Sequence, residues 1–195
     1  MTMNALDFVR GQGLDAVLTL ATSGLSVSDD DILCVYFQRP GTGICHQVVH
    51  MVGDALVLKS LDIHGISRNK VHTKGLFDAD FGKELALMLD GTKVAVYNPS
   101  FIASFLGKHV PCGRLRLYDL PCLYWRASAG TVPFDTVMED ALWNKSKGRS
   151  NISFAGALAL SGVSVGEDPT VEPGCLKCKA LSDMFLSLGN LQEGQ

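Results

Sequence analysis

The first third of the chain contains short apolar segments separated by residues that favour turns. Apolar runs of this kind, bounded by Gly, Pro, Asp or Ser, are typical of β-strands. The three predicted strands are Ala16–Leu20, Ile32–Phe37 and Ile44–Val52. A fourth segment, Asp54–Leu58, could extend the same series. Because tight turns join these segments, we predict an antiparallel β-meander at the start of a sheet.

The hydrophobic pattern then changes to a helical period. Apolar residues between Leu76 and Leu89 recur at helical spacing, and Gly91 is typical of the residue that follows a helix. Further predicted strands are Val94–Tyr97 and Leu115–Tyr118, and further predicted helices are Ser100–Gly107, Ile152–Ser161 and Cys175–Leu188. Residues 128–150 and 163–174 are predicted to be irregular. A meander followed by alternating helices and strands predicts an α/β three-layer fold with a mixed central sheet.

Composition narrows the class of protein. The 195 residues are 47% hydrophobic and 19% charged, which is unlike a disordered chain and sufficient for a substantial core. We expect one domain over residues 1–195. The sequence has no apolar run of membrane-spanning length, and Met1–Arg10 lacks the features of a secretory signal. The six cysteines lie in apolar surroundings, which favours reduced, mostly buried thiols and a cytoplasmic location.

Several short segments occur in the order of a known set of motifs. Ile63–Ser67 reads IHGIS, and Gly91–Phe101, which follows a predicted amphipathic helix, reads GTKVAVYNPSF. These two segments resemble the "HGIT" and "lVaHNa-x-FD" motifs of the DnaQ-like (DEDD-type) 3′-5′ exonuclease family. The other matching segments are Leu18–Leu25, Arg114–Asp119, Asn151–Val163 and Cys178–Asp183. The resemblance covers about residues 15–189 and implies a ribonuclease H-like fold with a mixed sheet.

The resemblance also implies a catalytic site in which four carboxylates hold two divalent cations beside a water-activating histidine. The matching positions here are Thr19, Ala21, Ile102 and Asp183 for the carboxylates, and Cys178 for the histidine. Of these five side chains, only Asp183 offers a carboxylate to a hard cation. One carboxylate does not hold two divalent ions against their hydration, so we expect no metal, no cofactor and no exonuclease activity.

An active exonuclease with a rearranged site for Mg²⁺ or Mn²⁺ is the alternative. Asp15, Asp62 and Asp119 lie near predicted sheet elements and are the substitute ligands to consider. Asp15 falls at the start of its strand, and Asp119 matches a family position outside the metal set. Because neighbouring strand positions face opposite sides of a sheet, these aspartates are unfavourably placed to replace the missing metal ligands.

Two groups of cysteine and histidine residues are candidates for a metal or redox site. Cys175 and Cys178 form a CxxC pattern, but no second pair has the spacing of a zinc site, so we interpret them as ordinary helix cysteines. Cys45, His46 and His50 fit strand alternation. The sequence therefore predicts no metal site in either group.

Basic residues are concentrated in one segment. Residues 108–149 contain seven basic and four acidic side chains, a balance of +3, whereas the remainder carries ten basic and sixteen acidic ones, a balance of −6. With interleaved aromatic residues, this segment predicts either a groove for a phosphate backbone or a solvated face. The candidate nucleic-acid-binding residues are Tyr97, Asn98, Arg126, Lys145, Lys147 and Arg149. Asn98 is either a ligand contact or a turn residue before Pro99.

These patterns together predict an inactive exonuclease-like domain that acts as a binding module. Its expected partner is another protein of a nucleic-acid-processing complex, with DNA or RNA as a further ligand and no membrane. A non-enzymatic protein that binds single strands or strand ends is the remaining alternative.

Overall fold

The structure of the protein is a computed structural model that describes residues 14–121, 123–124 and 152–193. Its strands are β1 (Ala16–Thr22), β2 (Ile32–Gln38), β3 (Cys45–Val49), β4 (Lys93–Val96) and β5 (Arg116–Asp119). They form a sheet with the order β3-β2-β1-β4-β5. The first three strands pair antiparallel, whereas β1, β4 and β5 pair parallel. The predicted meander and mixed sheet are confirmed.

Residues 120–121 and 123–124 are helical, and seven further α-helices have described bounds. They are α1 (Asp54–Leu58), α2 (Leu61–His64), α3 (Arg68–Lys74), α4 (Asp78–Leu89), α5 (Pro99–Leu106), α6 (Phe154–Ser161) and α7 (Pro173–Glu193). The predicted helices correspond to α4, α5, α6 and α7, with ends that differ by a few residues. Helices α2 and α3 were not predicted, because each is too short to repeat a hydrophobic period.

The suggested extension of the meander through Asp54–Leu58 is wrong, because this segment is helix α1. β3 ends at Val49, and the chain then leaves the sheet edge, where the Met51 amide bonds to the carbonyl of Leu76. Only Val57 of α1 is buried. Its apolar run of four residues, Ala55–Leu58, satisfies one helical turn as well as a strand, so the pattern alone does not separate the two structures.

The sheet is covered by helices on both faces, which gives the predicted three layers. On one face, Val17 and Ala21 of β1 pack with Ala157 of α6 and Leu181 of α7. On the other face, the neighbouring β1 residue Leu18 belongs to a core that α4 and α5 complete. Successive strand residues face opposite sides, so β1 and the fully buried β2 contribute to both cores.

The N-terminal turn of α7 lies directly against β1 and β2. Thr19 Oγ1 donates a hydrogen bond to the Gly174 carbonyl (3.0 Å), and Tyr36 Oη donates to Glu172 Oε2 (2.7 Å). Lys70 of α3 forms an ion pair with the same glutamate at 2.6 Å. A Cβ atom at Gly174 would lie 2.1 Å from the ring of Tyr36, so this approach requires glycine. These contacts determine which side of α7 faces β1.

Candidate functional site

An open cleft of about 210 Å³ lies where β1, the C-terminal end of β4 and helices α5, α6 and α7 meet. β1 contributes its middle residues, and the turn after β4 contributes two more. The lining residues are Leu18, Thr19, Leu20, Tyr97, Asn98, Phe101, Ile102, Phe154, Lys177 and Leu181. The C-terminal edge of parallel strands is the usual place for a ligand site in an open α/β sheet.

Asn98 shapes the wall of the cleft through its backbone. Its φ of 55° is left-handed, and its side chain caps α5 by accepting a hydrogen bond from the Phe101 amide at 3.4 Å. Asparagine tolerates this conformation better than most residues, and Pro99 suits the first position of a helix. Asn98 is therefore a turn and capping residue, and it also lines the cleft.

Two of the degenerate motif positions meet in this cleft. Thr19 and Ile102 both line it, although they are 83 residues apart in the chain. The Thr19 hydroxyl donates to Gly174, and Ile102 is 4% exposed. Ala21 shares a strand face with Thr19 but is buried beneath α7 rather than lining the cleft. The structure thus brings two of the five motif positions into one cleft.

Helix α7 presents Lys177 and Leu181 to the cleft. Asp183, the carboxylate retained in the motif comparison, is not among the lining residues and forms an ion pair with Lys179 at 2.5 Å. Residues 181 and 183 are about 200° apart around a helix, so they face opposite directions. Cys178 is fully buried, and its thiol lies 3.7 Å from the carbonyl oxygens of Val17 and Tyr36.

The described lining is apolar and contains no carboxylate. Its polar groups are the hydroxyls of Thr19 and Tyr97 and the amide of Asn98, and its one described cation is Lys177. The Thr19 hydroxyl donates to the Gly174 carbonyl, and the Asn98 side-chain oxygen accepts from the Phe101 amide. Hard divalent cations require several oxygen ligands with compensating negative charge. The described residues do not fit the metal pair that the family resemblance implies.

The considered substitute ligands also lie outside the lining of the cleft. Asp15 accepts a hydrogen bond from the Lys93 amide at 2.8 Å beside the start of β4. Asp62 is exposed on α2, and Asp119 is buried at the end of β5. None of these three described carboxylates lines the cleft together with Thr19 and Ile102.

The chemistry available in the cleft is aromatic and cationic. The rings of Tyr97 and Phe154 are 5.5 Å apart, and those of Phe101 and Phe105 are 4.8 Å apart. Rings exposed at a cleft provide faces for a flat ligand, and Lys177 provides a positive charge for an anionic group. Such a cleft can bind an aromatic anion, but nothing described in it activates water.

Three residues that line the cleft were not predicted from the sequence. Phe154, Lys177 and Leu181 read only as helix positions, because the rotation of each helix was unknown. Tyr97 and Asn98 were predicted and do line the cleft. The remaining candidates, Arg126, Lys145, Lys147 and Arg149, lie outside the described residues.

The CxxC cysteines have a neighbour that the sequence did not indicate. Cys45 of β3 approaches both residues, and hydrogen bonds from the Cys178 and Cys175 thiols lower the pKa of Cys45. The same interaction, together with burial, raises the pKa of Cys178. Cys34, Cys45, Cys175 and Cys178 are free thiols. This proximity arises because the first turns of α7 lie beside the start of β3, where Gln47 also contacts the Cys175 thiol.

Comparison with known proteins identifies the fold. The structure of E. coli Exonuclease I in complex with a dA16 oligonucleotide is similar to this chain, with a TM-score of 0.52 at 13% sequence identity. The similarity covers 87% of this chain and 40% of the exonuclease chain, so this chain spans less than half of the exonuclease's length. No protein-family model and no curated protein match the sequence. None of the described helices is long and apolar enough to span a bilayer.

At this level of identity, the similarity is informative about the fold alone. Together with the strand order and the mixed pairing, it confirms the predicted α/β ribonuclease H-like class. The chain therefore has an exonuclease-like fold.

Proposed function

We propose that this chain is a catalytically inactive exonuclease-like module that binds the end of a single-stranded nucleic acid in its cleft. The observation that carries the proposal is the chemistry of the lining: aromatic and aliphatic side chains, one described lysine and no described carboxylate. Stripped of acidic groups, such a lining no longer repels a phosphate backbone. The similar exonuclease was solved with an oligonucleotide bound.

Aromatic faces and one cation suit a terminal nucleotide. Stacking of a base on an aromatic side chain contributes roughly 1–3 kcal/mol and tolerates any base. Tyr97 is half-buried, so one part of its ring is held by the protein while the rest is free to contact a ligand. Lys177 is exposed and positioned to pair with a phosphate.

The absence of catalysis follows from electrostatics. Two divalent ions in a phosphodiesterase clamp the attacking and leaving oxygens, and their removal costs several kcal/mol of transition-state stabilisation. Each 1.36 kcal/mol is about tenfold in rate, so cleavage falls by orders of magnitude. Thr19, Ile102 and Leu181 offer a divalent cation no negative charge.

Fluorescence anisotropy with labelled single-stranded DNA and RNA tests the binding part of the proposal. We expect salt-sensitive binding that weakens about fivefold or more in Tyr97→Leu, with the salt slope reduced by about one in Lys177→Ala. Lys179→Ala is the matched control, because Lys179 lies on the same helix but pairs with Asp183 away from the cleft. Equal binding by Lys177→Ala and Lys179→Ala would place the nucleic acid elsewhere.

A nuclease assay with Mg²⁺ or Mn²⁺ tests the inactive state. We expect the labelled strand to remain intact, while digestion that disappears in Asp183→Asn would contradict the proposal. If no oligonucleotide binds at low salt, the nucleic-acid part is wrong. A protein of a nucleic-acid-processing complex would then be the ligand to seek, with the same Tyr97 and Lys177 variants as probes.

A further inference from the structure

We propose that Asp31, His50 and His109 form a binding site for a transition-metal ion such as Zn²⁺, with Asp78 orienting His50. Among the described residues, these three side chains are the group whose potential ligand atoms approach closely enough to share an ion, all within 4.8 Å of one another. None of the residues lining the cleft belongs to this group.

The fold brings these residues together from four separate segments. Asp31 immediately precedes β2, His50 immediately follows β3, His109 follows α5, and Asp78 begins α4. Asp31 Oδ1 lies 3.1 Å from His109 Nε2 and 4.0 Å from His50 Nδ1. In a tetrahedral zinc site with bonds of about 2.0–2.2 Å, ligand atoms are roughly 3.3–3.6 Å apart. The observed distances bracket this spacing.

Both ring nitrogens of His50 contact oxygen atoms. Nε2 lies 2.7 Å from Asp78 Oδ1, and Nδ1 lies 3.0 Å from the Ile32 carbonyl oxygen and 4.0 Å from Asp31 Oδ1. Metal-binding histidines usually donate their second N–H to a carboxylate or carbonyl, which determines the tautomer and the ring orientation. In the tautomer that binds an ion, Nε2–H donates to Asp78, and the ion at Nδ1 takes the place of the proton that Nδ1 otherwise donates to the Ile32 carbonyl.

Packing holds both imidazoles in place before any ion binds. The ring of His50 stacks on Phe81 with centroids 4.3 Å apart, and His109 meets Phe81 edge-on at 5.0 Å. The side chains of His50 and His109 are only 2% and 7% exposed, whereas Asp31 is 22% exposed. An ion therefore reaches the site past Asp31 without displacing the core.

Asp31 offers one carboxylate oxygen to the histidines. Its Oδ1 accepts hydrogen bonds from the Ile32 amide at 2.8 Å and from His109 Nε2 at 3.1 Å. Lys108 lies 3.5 Å from the other carboxylate oxygen, Oδ2, and donates to the Asp30 carbonyl, so Oδ1 is the oxygen directed at both histidines. Two imidazoles and one carboxylate, with water completing the shell, are typical of zinc and related transition metals.

Cobalt(II) titration followed by visible absorption is the direct test. We expect one Co²⁺ per chain with the d–d bands of a nitrogen–oxygen site, displaced by Zn²⁺, together with a rise in Tm on adding Zn²⁺. An intense thiolate-to-cobalt charge-transfer band would instead locate the ion at Cys45, Cys175 and Cys178 and overturn the proposal. Wild-type protein that gives no saturable signal would also overturn it.

Substitutions assign the ligands. Asp31→Asn and His109→Ala are expected to abolish binding, and Asp78→Asn to weaken it about 10- to 100-fold through loss of His50 orientation. His72→Ala is the matched control, because this exposed histidine pairs with Asp54 at 2.8 Å, outside the group, and the variant should bind normally. Circular dichroism of each metal-free variant verifies folding. Unchanged binding by folded Asp31→Asn and His109→Ala would contradict the assignment and leave only an ion-paired cluster.

Discussion

Replacement of Gly174 by alanine tests the contact that positions α7 over β1 and β2. The added Cβ would lie 2.1, 2.4 and 2.5 Å from three ring carbons of Tyr36. Real Cβ atoms do not approach this closely, so either the ring or the helix must shift by about 1 Å. Tyr36 is fully buried and its hydroxyl is bonded to Glu172, so the ring has no free direction in which to move.

The expected cost has two parts. Overpacking a well-packed core costs typically 1–3 kcal/mol. Movement of the helix also weakens the hydrogen bonds from Thr19 to Gly174 and from Tyr36 to Glu172, each contributing about 1 kcal/mol. The greater helix propensity of alanine offsets less than about 1 kcal/mol. The net loss is about 2–4 kcal/mol, which corresponds to a fall in Tm of about 5–15 °C for a chain of this length.

Urea unfolding and thermal melts of Gly174→Ala measure this loss. Gly166→Ala is the matched control, because its new Cβ would only reach ordinary contact with Leu176 at 3.8 Å, and its stability should change by less than about 0.5 kcal/mol. The double variant Gly174→Ala/Tyr36→Leu should be more stable than the sum of its parts, since the two side chains compete for one space. A Tm for Gly174→Ala within 1–2 °C of wild type, roughly the control range, would refute this account of how α7 docks.

Two further predictions concern single polar residues. Asn98→Ala should lower the free energy of unfolding by about 1–2 kcal/mol, because it removes the side chain that caps the Phe101 amide and places alanine at φ 55°. Asn98→Gly suits that backbone conformation and should cost only a few tenths of a kcal/mol. Equal losses of stability in the two variants would contradict this prediction. Asp30 is buried, and hydrogen bonds from Lys59 and the Ser26 amide lower its pKa below the model-peptide value of 3.8. Its contribution to stability is therefore complete above about pH 4 and is lost as the pH falls through the lowered pKa. Urea titrations at pH 7 and pH 3 should show a smaller pH dependence in Asp30→Asn than in wild type, and identical pH dependence would count against a paired, ionised Asp30.

The sheet was the part of the fold most accessible to prediction. β2 is buried at every position, so its uninterrupted apolar run between turn residues identified it directly. β4 was also recognised, from a short β-branched run, and β5 was predicted as the strand Leu115–Tyr118. Helix α1 was mistaken for a strand because an apolar run of four residues is too short to show a period. Its helical state depends on where β3 leaves the sheet.

The site was predictable only as far as residue type and order allow. The motif comparison placed Thr19 and Ile102 together, and both line the cleft. The same comparison selected Asp183 from α7, whereas Lys177 and Leu181 are the residues that face the cleft. To predict which of these side chains faces the cleft, one must know how α7 is rotated about its axis. That rotation depends on how Gly174 packs against Tyr36, a residue 138 positions earlier in the chain.

By itself, the sequence determined most of the alternation of strands and helices and the non-acidic side chains at Thr19, Ala21 and Ile102, because both are properties of a residue and its near neighbours. Only the tertiary structure decided which side of α7 faces β1, and that Asp31, His50 and His109 meet beside Phe81. Such proximity depends on packing between segments that are distant in the chain. Local hydrophobic periodicity carries no information about that packing, since it describes one element at a time.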